Sequence, residues 1–211
     1  MRALQLAAIA AALVATASPA HADRDGRTHM ELTWGFVGGQ RSYAHQAFAF
    51  KEGDVSPALA EPFLGEPFDG VPVLGMGFEA RLVIRGIRTA IGGEYPYPRI
   101  DPPIMLATAG GPPAQVRALE TSELRLSMGY EYAWEPAVVY ADLVGTAYEA
   151  KAKVVVGDAQ STYDTSGFSF AARVGARLAI NKNYFAYAHG EAGLTGHILW
   201  AVHGGLGVNV P

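Results

Sequence analysis

The groups in this 211-residue chain that could do chemistry are six histidines and a series of acids and arginines at two-residue spacing. His189 and Glu191 are two apart, so in an extended segment both point to one side. His203 can lie inward on the next such segment. Imidazole and carboxylate together can bind a metal or pass a proton. The spacing is not that of a metal-ligand motif, so the simpler reading joins all three to a hydrogen-bond network inside the fold, with no metal and no cofactor. Asp158 and Asp164 lack the spacing of a calcium loop and read as solvated turn residues. The paired glycines at 38–39, 92–93, 110–111 and 204–205 form no phosphate-binding loop. The absence of cysteine excludes disulfides, iron–sulfur clusters and thiol catalysis. With 16 basic residues against 20 acidic ones and no basic block, nucleic acid is not an expected partner.

The elements that carry these groups read as strands. In ELRLSMGYEYAW, 123–134, Leu124, Leu126, Met128, Tyr130, Tyr132 and Trp134 alternate with Glu123, Arg125, Ser127, Gly129, Glu131 and Ala133. That period of two is a strand with unlike faces. Segments 30–38, 73–85, 168–181 and 198–210 repeat it, and 87–95, 138–148 and 184–194 are less regular strands. The strands therefore number eight. Their polar rows hold Glu31, Glu79, Arg81, Arg85, Glu123, Arg125, Glu131, Asp142, Arg173, Arg177 and Glu191, but no lysine. Lys51, Lys151, Lys153 and Lys182 fall in loops, turns or hairpin arms. Connections alternate in length. Long ones run 39–70, 96–120 and 150–167; tight ones fall at Arg85-Gly86, Glu135-Pro136 and 181–183, and Thr195-Gly196-His197 is also short.

The N-terminus sets the expected location. One cation, Arg2, precedes an apolar run and an Ala20-His21-Ala22 site, the order of a cleaved export signal. The predicted division is a signal over 1–22 and a single domain over 23–211. No later segment is apolar enough for a membrane helix.

Two barrels then compete. A soluble lipocalin-like barrel would turn the apolar row inward around a greasy ligand. A membrane barrel turns it outward to lipid. Small residues beside the charges suit a narrow lumen. Arginine without lysine suits buried, multidentate pairing. Aromatics near the tight turns, Trp134, Tyr184 and Phe185, suit an interfacial girdle. The prediction is an all-β, eight-stranded antiparallel up-and-down transmembrane β-barrel. Glu79, Arg81, Glu123, Arg125, Glu131, Asp142, Arg173, Arg177 and Glu191 are expected to fill its lumen as structural charges. Trp34, Phe78, Tyr130, Tyr132, Trp134, Phe168, Phe170 and Trp200 are expected to face lipid or form the girdle.

By its export signal, dyad alternation, loop asymmetry and terminal GGLGVNV strand, the chain resembles the small eight-stranded outer-membrane barrels of the OmpA/OmpX-like class. It departs from that class in ending Val210-Pro211 rather than in an aromatic residue. The resemblance implies a bacterial outer-membrane location, lipid as partner, a monomer and a side-chain-filled lumen. It also implies a non-enzymatic role, structural or in surface contact, with an unknown ligand or partner met through loops 39–70 and 96–120. A lipid-modifying enzyme is the poorer alternative. The lipid A deacylase family pairs a histidine with a serine two residues later, and none of the six histidines here has that neighbour.

Overall fold

The computed structural model describes residues 28–51, 62–108, 112–134 and 136–210. The expected export signal and Glu135 of the second tight turn lie outside them. Eleven antiparallel strands follow one another: β1 His29–Arg41, β2 Ala47–Phe50, β3 Phe63–Leu64, β4 Val71–Ile84, β5 Ile87–Pro98, β6 Ile104–Leu106, β7 Ala114–Trp134, β8 Ala137–Val156, β9 Ala159–Ala179, β10 Tyr184–Thr195 and β11 Ile198–Val210. Eight of them close a ring in the order β1, β4, β5, β7, β8, β9, β10, β11 and back to β1. The short β2, β3 and β6 thicken the wall at the end away from the tight turns.

The register fixes the size of the ring. From Leu178 the hydrogen-bonded neighbours run Ala186, Leu206, Trp34, Phe78, Gly93, Leu124 and Ala147, and return to β9 at Phe168. One circuit therefore climbs 178 − 168 = 10 residues along the strand. With ordinary strand rise and spacing, that stagger tilts the strands by about 40° and sets a wall radius of about 8 Å. Such a tube has room for side chains and little else.

The tight turns follow the sequence. Arg85 and Gly86 both have positive φ, 52° and 81°. That is the left-handed pair a two-residue hairpin needs to match strand twist. Gly86 also leaves space for the Tyr130 ring, which an added Cβ would approach to 2.9 Å. Arg85 is thus an exposed turn residue and not a lumen charge.

Two predicted loops are largely strand. The 150–167 excursion is a continuation of β8 and β9 to the Gly157-Asp158 turn, paired throughout. Lys151 and Lys153 are consequently strand residues, on its outer face. The 96–120 loop shrinks to 99–113, because β5 runs to Pro98 and β7 begins at Ala114. Prolines 96 and 98 are tolerated because β5 and β7 pair only from Ile87–Glu94 against Tyr130–Glu123. Above Glu94, β5 has a free edge, where a missing N–H breaks no ladder.

Candidate functional site

Each strand sends alternate residues inward, and the inward rows stack in layers from the tight-turn end upward. Lowest, Arg177 pairs with Glu31 and, at 2.9 Å, with Glu131. The Phe185 ring lies 5.4 Å from the Arg177 guanidinium and is almost fully buried. Phe185 thus closes the lower mouth; it is not a girdle residue, because Tyr184 takes the outward position and strand alternation sends its neighbour in.

In the next layer Arg88 sits 3.6 Å over the Tyr140 ring, with Glu131 and Asp142 at 3.8 and 3.9 Å. Arg81 pairs with Glu79 and lies 3.7 Å from Glu31. At mid-height Arg173 donates to Asp142 at 2.8 Å, to Glu79 at 2.7 Å and to the Ser127 hydroxyl at 2.6 Å. Higher still, Arg125 joins Glu94 to Glu191. The top layer is Arg41, held by Glu123 at 3.0 Å and Glu94 at 3.4 Å, with His197 also 2.9 Å from Glu123. The lumen carries six guanidinium groups (41, 81, 88, 125, 173, 177) and seven carboxylates (31, 79, 94, 123, 131, 142, 191).

Above Glu123 the lumen changes character. Tyr43, Phe48, Phe68, Leu119, Tyr148 and Tyr163 pack into an apolar core with Ala150, Ala152 and Val154. Tyr148 bridges the two regions, its ring centroid 3.9 Å from that of His197. Burial pushes the Tyr43 phenol up, so it stays neutral.

The outer face changes at the same height and in the opposite sense. Between Leu124 and Trp134 the outward row of β7 is apolar and mostly exposed. At the strand tilt given above, those residues span about 25 Å, the height of the apolar band of a membrane barrel. Above it come Ser122 and Glu120, with Lys153 reaching Glu120 at 2.5 Å and Lys151 reaching Glu149 at 3.1 Å. The soluble lipocalin-like alternative needs the reverse arrangement within the band.

The nine lumen charges expected from the sequence all point into the tube, and the arrangement brings every one of them to an opposite charge. Trp34, Phe78, Trp134, Phe168, Phe170 and Trp200 are exposed on the outer wall. Tyr130 and Tyr132 are half-buried there, Tyr130 being folded over the Gly86 turn. Trp200 also donates to the Gln40 side chain at 3.0 Å.

Sequence reasoning missed Arg41, Arg88, Glu94 and His197. For two of them a signal exists: Arg88 and Glu94 lie six apart, on one face of 87–95 with Ala90 and Gly92 between them. His189 and His203 are direct cross-strand partners with ring centroids 4.2 Å apart. Gly175 makes room for them: a Cβ there would come within 2.4 Å of the His189 Cβ and 2.7 Å of the Tyr140 ring.

No protein-family model matches the chain, and no curated protein matches it in sequence. Solved structures do. Neisserial surface protein A superposes with a TM-score of 0.52 at 11% identity, over 86% of this chain and 96% of that one. Ail, the attachment invasion locus protein of Yersinia pestis, solved with the heparin analogue sucrose octasulfate, gives 0.50 at 13% identity over 87% and 99%. At such identities the likeness is one of fold, and with the closed ring and the outward apolar band it gives an eight-stranded antiparallel transmembrane β-barrel, the fold of those two structures.

Proposed function

We propose that the protein is a monomeric barrel of the bacterial outer membrane, exported by the 1–22 signal, that supports the envelope and presents its upper strands and loops as a contact surface. The reading is non-enzymatic. One observation carries it: along β7 and β8, at the height of Glu123, the outward row passes from apolar to charged and the inward row from charged to apolar, so the lower tube suits lipid outside and this upper hairpin suits water. Among the described residues the lumen offers no passage to a solute, with Phe185 buried below and the aromatic core above.

The comparison structures are named for a surface protein and for attachment, which agrees with a contact role. A sulfated sugar is not the partner proposed here. Lys151 and Lys153, on the raised hairpin, are each answered by a neighbouring carboxylate. The contact region proposed is the expected loops 39–70 and 96–120, the second of which the strands narrow to 99–113.

Fractionation of expressing cells tests the location. The protein should sediment with outer membranes, resist extraction by urea, and run faster unboiled than boiled on gels. Recovery from the soluble periplasm overturns the proposal. In planar bilayers the refolded barrel should give no large steady conductance, and a stable open channel would sink the closed-lumen reading.

A further inference from the structure

We propose that His189, Glu191 and His203 form a site inside the lumen for one first-row divalent metal ion, with Zn²⁺ as the reference ion. The inference rests on the closed barrel described above. The three side chains are buried, and one ligand atom from each lies within 4.8 Å of the others. The atoms facing that point, His189 Nε2, Glu191 Oε1 and His203 Nε2, make no hydrogen bond. Buried polar atoms are rarely left so. Other buried groups of the barrel, Arg88 and Thr146 among them, share that state; these three are set apart because their ligand atoms converge within 4.8 Å.

The far side of each ligand is held. His189 Nδ1 lies 3.1 Å from the Tyr140 hydroxyl, and His203 Nδ1 lies 3.4 Å from Glu94. The other oxygen of Glu191 accepts from Arg125. Metal-bound histidines are ordinarily oriented by such a partner on the second ring nitrogen. Two imidazoles and one carboxylate are a zinc donor set, and at zinc distances tetrahedral ligand atoms lie about 3.4 Å apart. His189 Nε2 to Glu191 Oε1 is already 3.6 Å, whereas the 3.6 Å approach of His203 Nε2 is to Oε2, the oxygen that Arg125 engages. A cavity of about 20 Å³ borders both histidines, though not Glu191, and has room for one water beside them.

Three cations stand close, one of them Arg81, which borders the same cavity and is engaged by Glu79. Arg125 is engaged by Glu94 and Glu191, and Arg173, 4.0 Å from Glu191, is engaged by Glu79 and Asp142. Their charge is thus answered, and the lumen as a whole has one carboxylate in excess of its guanidinium groups. The ion ties β10 to β11 at mid-wall and is structural, because the tube is closed above and below it.

The test refolds the full chain in detergent with Zn²⁺, removes free ion by gel filtration, and measures bound zinc by atomic emission. Co²⁺ replaces it in a parallel sample read by visible absorption. Unboiled gel mobility reports separately whether the barrel formed, so failure of the fold and failure of the site are distinguished. Folded protein should retain about one Zn²⁺ per chain. His189→Gln and His203→Gln should each fold and retain less than about a tenth of that. Tyr140→Phe keeps the ring over Arg88 and removes only the hydroxyl that positions His189. It should weaken zinc affinity by about 10- to 100-fold. Folded wild-type protein without zinc overturns the proposal, as does equal retention by His189→Gln/His203→Gln. Should the glutamine variants not fold, unchanged affinity in Tyr140→Phe overturns it by itself.

Discussion

The lower and upper lumens of this barrel solve the same packing problem with opposite chemistry. Below Glu123 the tube is filled by arginines and acids that bridge strands across its width. Above it, aromatic and aliphatic side chains interlock as in a soluble protein. The wall changes with them: β5 and β7 pair only as far as Glu94 and Glu123, and above that the short β2, β3 and β6 add to the wall, while the medium outside changes as well. Where lipid takes the apolar residues outward, the inward row is left polar and must pair with itself. Where water takes the charges, the inward row is free to be apolar.

The difference should show in how each half tolerates a change. The largest effect is expected for Arg173→Met, which keeps bulk but removes the cation shared by Glu79, Asp142 and Ser127, leaving Asp142 only Arg88 at 3.9 Å. The loss should be about 3–5 kcal/mol, read from the urea midpoint in detergent or liposomes. A midpoint near wild type would mean that the lower charges are solvated and the two halves are not distinct in kind. Next comes the outer wall. Leu126→Lys, within the band, should cost about 2–4 kcal/mol in liposomes, whereas Gln160→Lys, on the raised hairpin, should cost about 0–1. Equal penalties would show that the band does not end where the faces exchange.

Smaller is Phe48→Leu in the upper core, with an expected loss of about 1 kcal/mol, because an apolar core yields to an apolar swap of similar size. A loss matching that of Arg173→Met would erase the contrast. The smallest effect, within about 0.5 kcal/mol, is expected for Lys182→Leu in an exposed lower turn. A large shift there would point to a hidden partner of the turn.

Much of the lower half could be read from the residues, and the upper half could not, for one physical reason. In 123–134 or 168–181 lipid selects apolar side chains at every outward position, so the period of two is written plainly. Above the band, water accepts Glu120, Lys151 and Lys153 outward while alanines turn inward, and the contrast between faces fades. Hence 150–167 reads as a long excursion whose arms, Lys151 to Val156, extend a hairpin, without the register by which β8 and β9 continue paired to Val156 and Ala159. Arg41 and His197 were lost in the same way, at strand ends already above the lipid. The meeting of His189 with His203 was within reach. They stand seven residues on either side of Gly196, and a tight hairpin centred there makes them partners. What could not be read is which acid each arginine would choose, since that depends on the stagger of the whole ring.

That stagger gives the charged layers a bearing on assembly order. Arg173 meets Glu79 across 94 positions of chain, and Arg41 meets Glu123 across 82. Such links cannot form in a lone hairpin and depend on strands being brought together around the circuit. Until then a growing sheet keeps its arginines and acids hydrated on one side, and dehydrating them early is penalised. Closure removes the water and satisfies the charges in one step. The network therefore favours the closed cylinder over a partial sheet, in which the same arginines and acids would lack their partners.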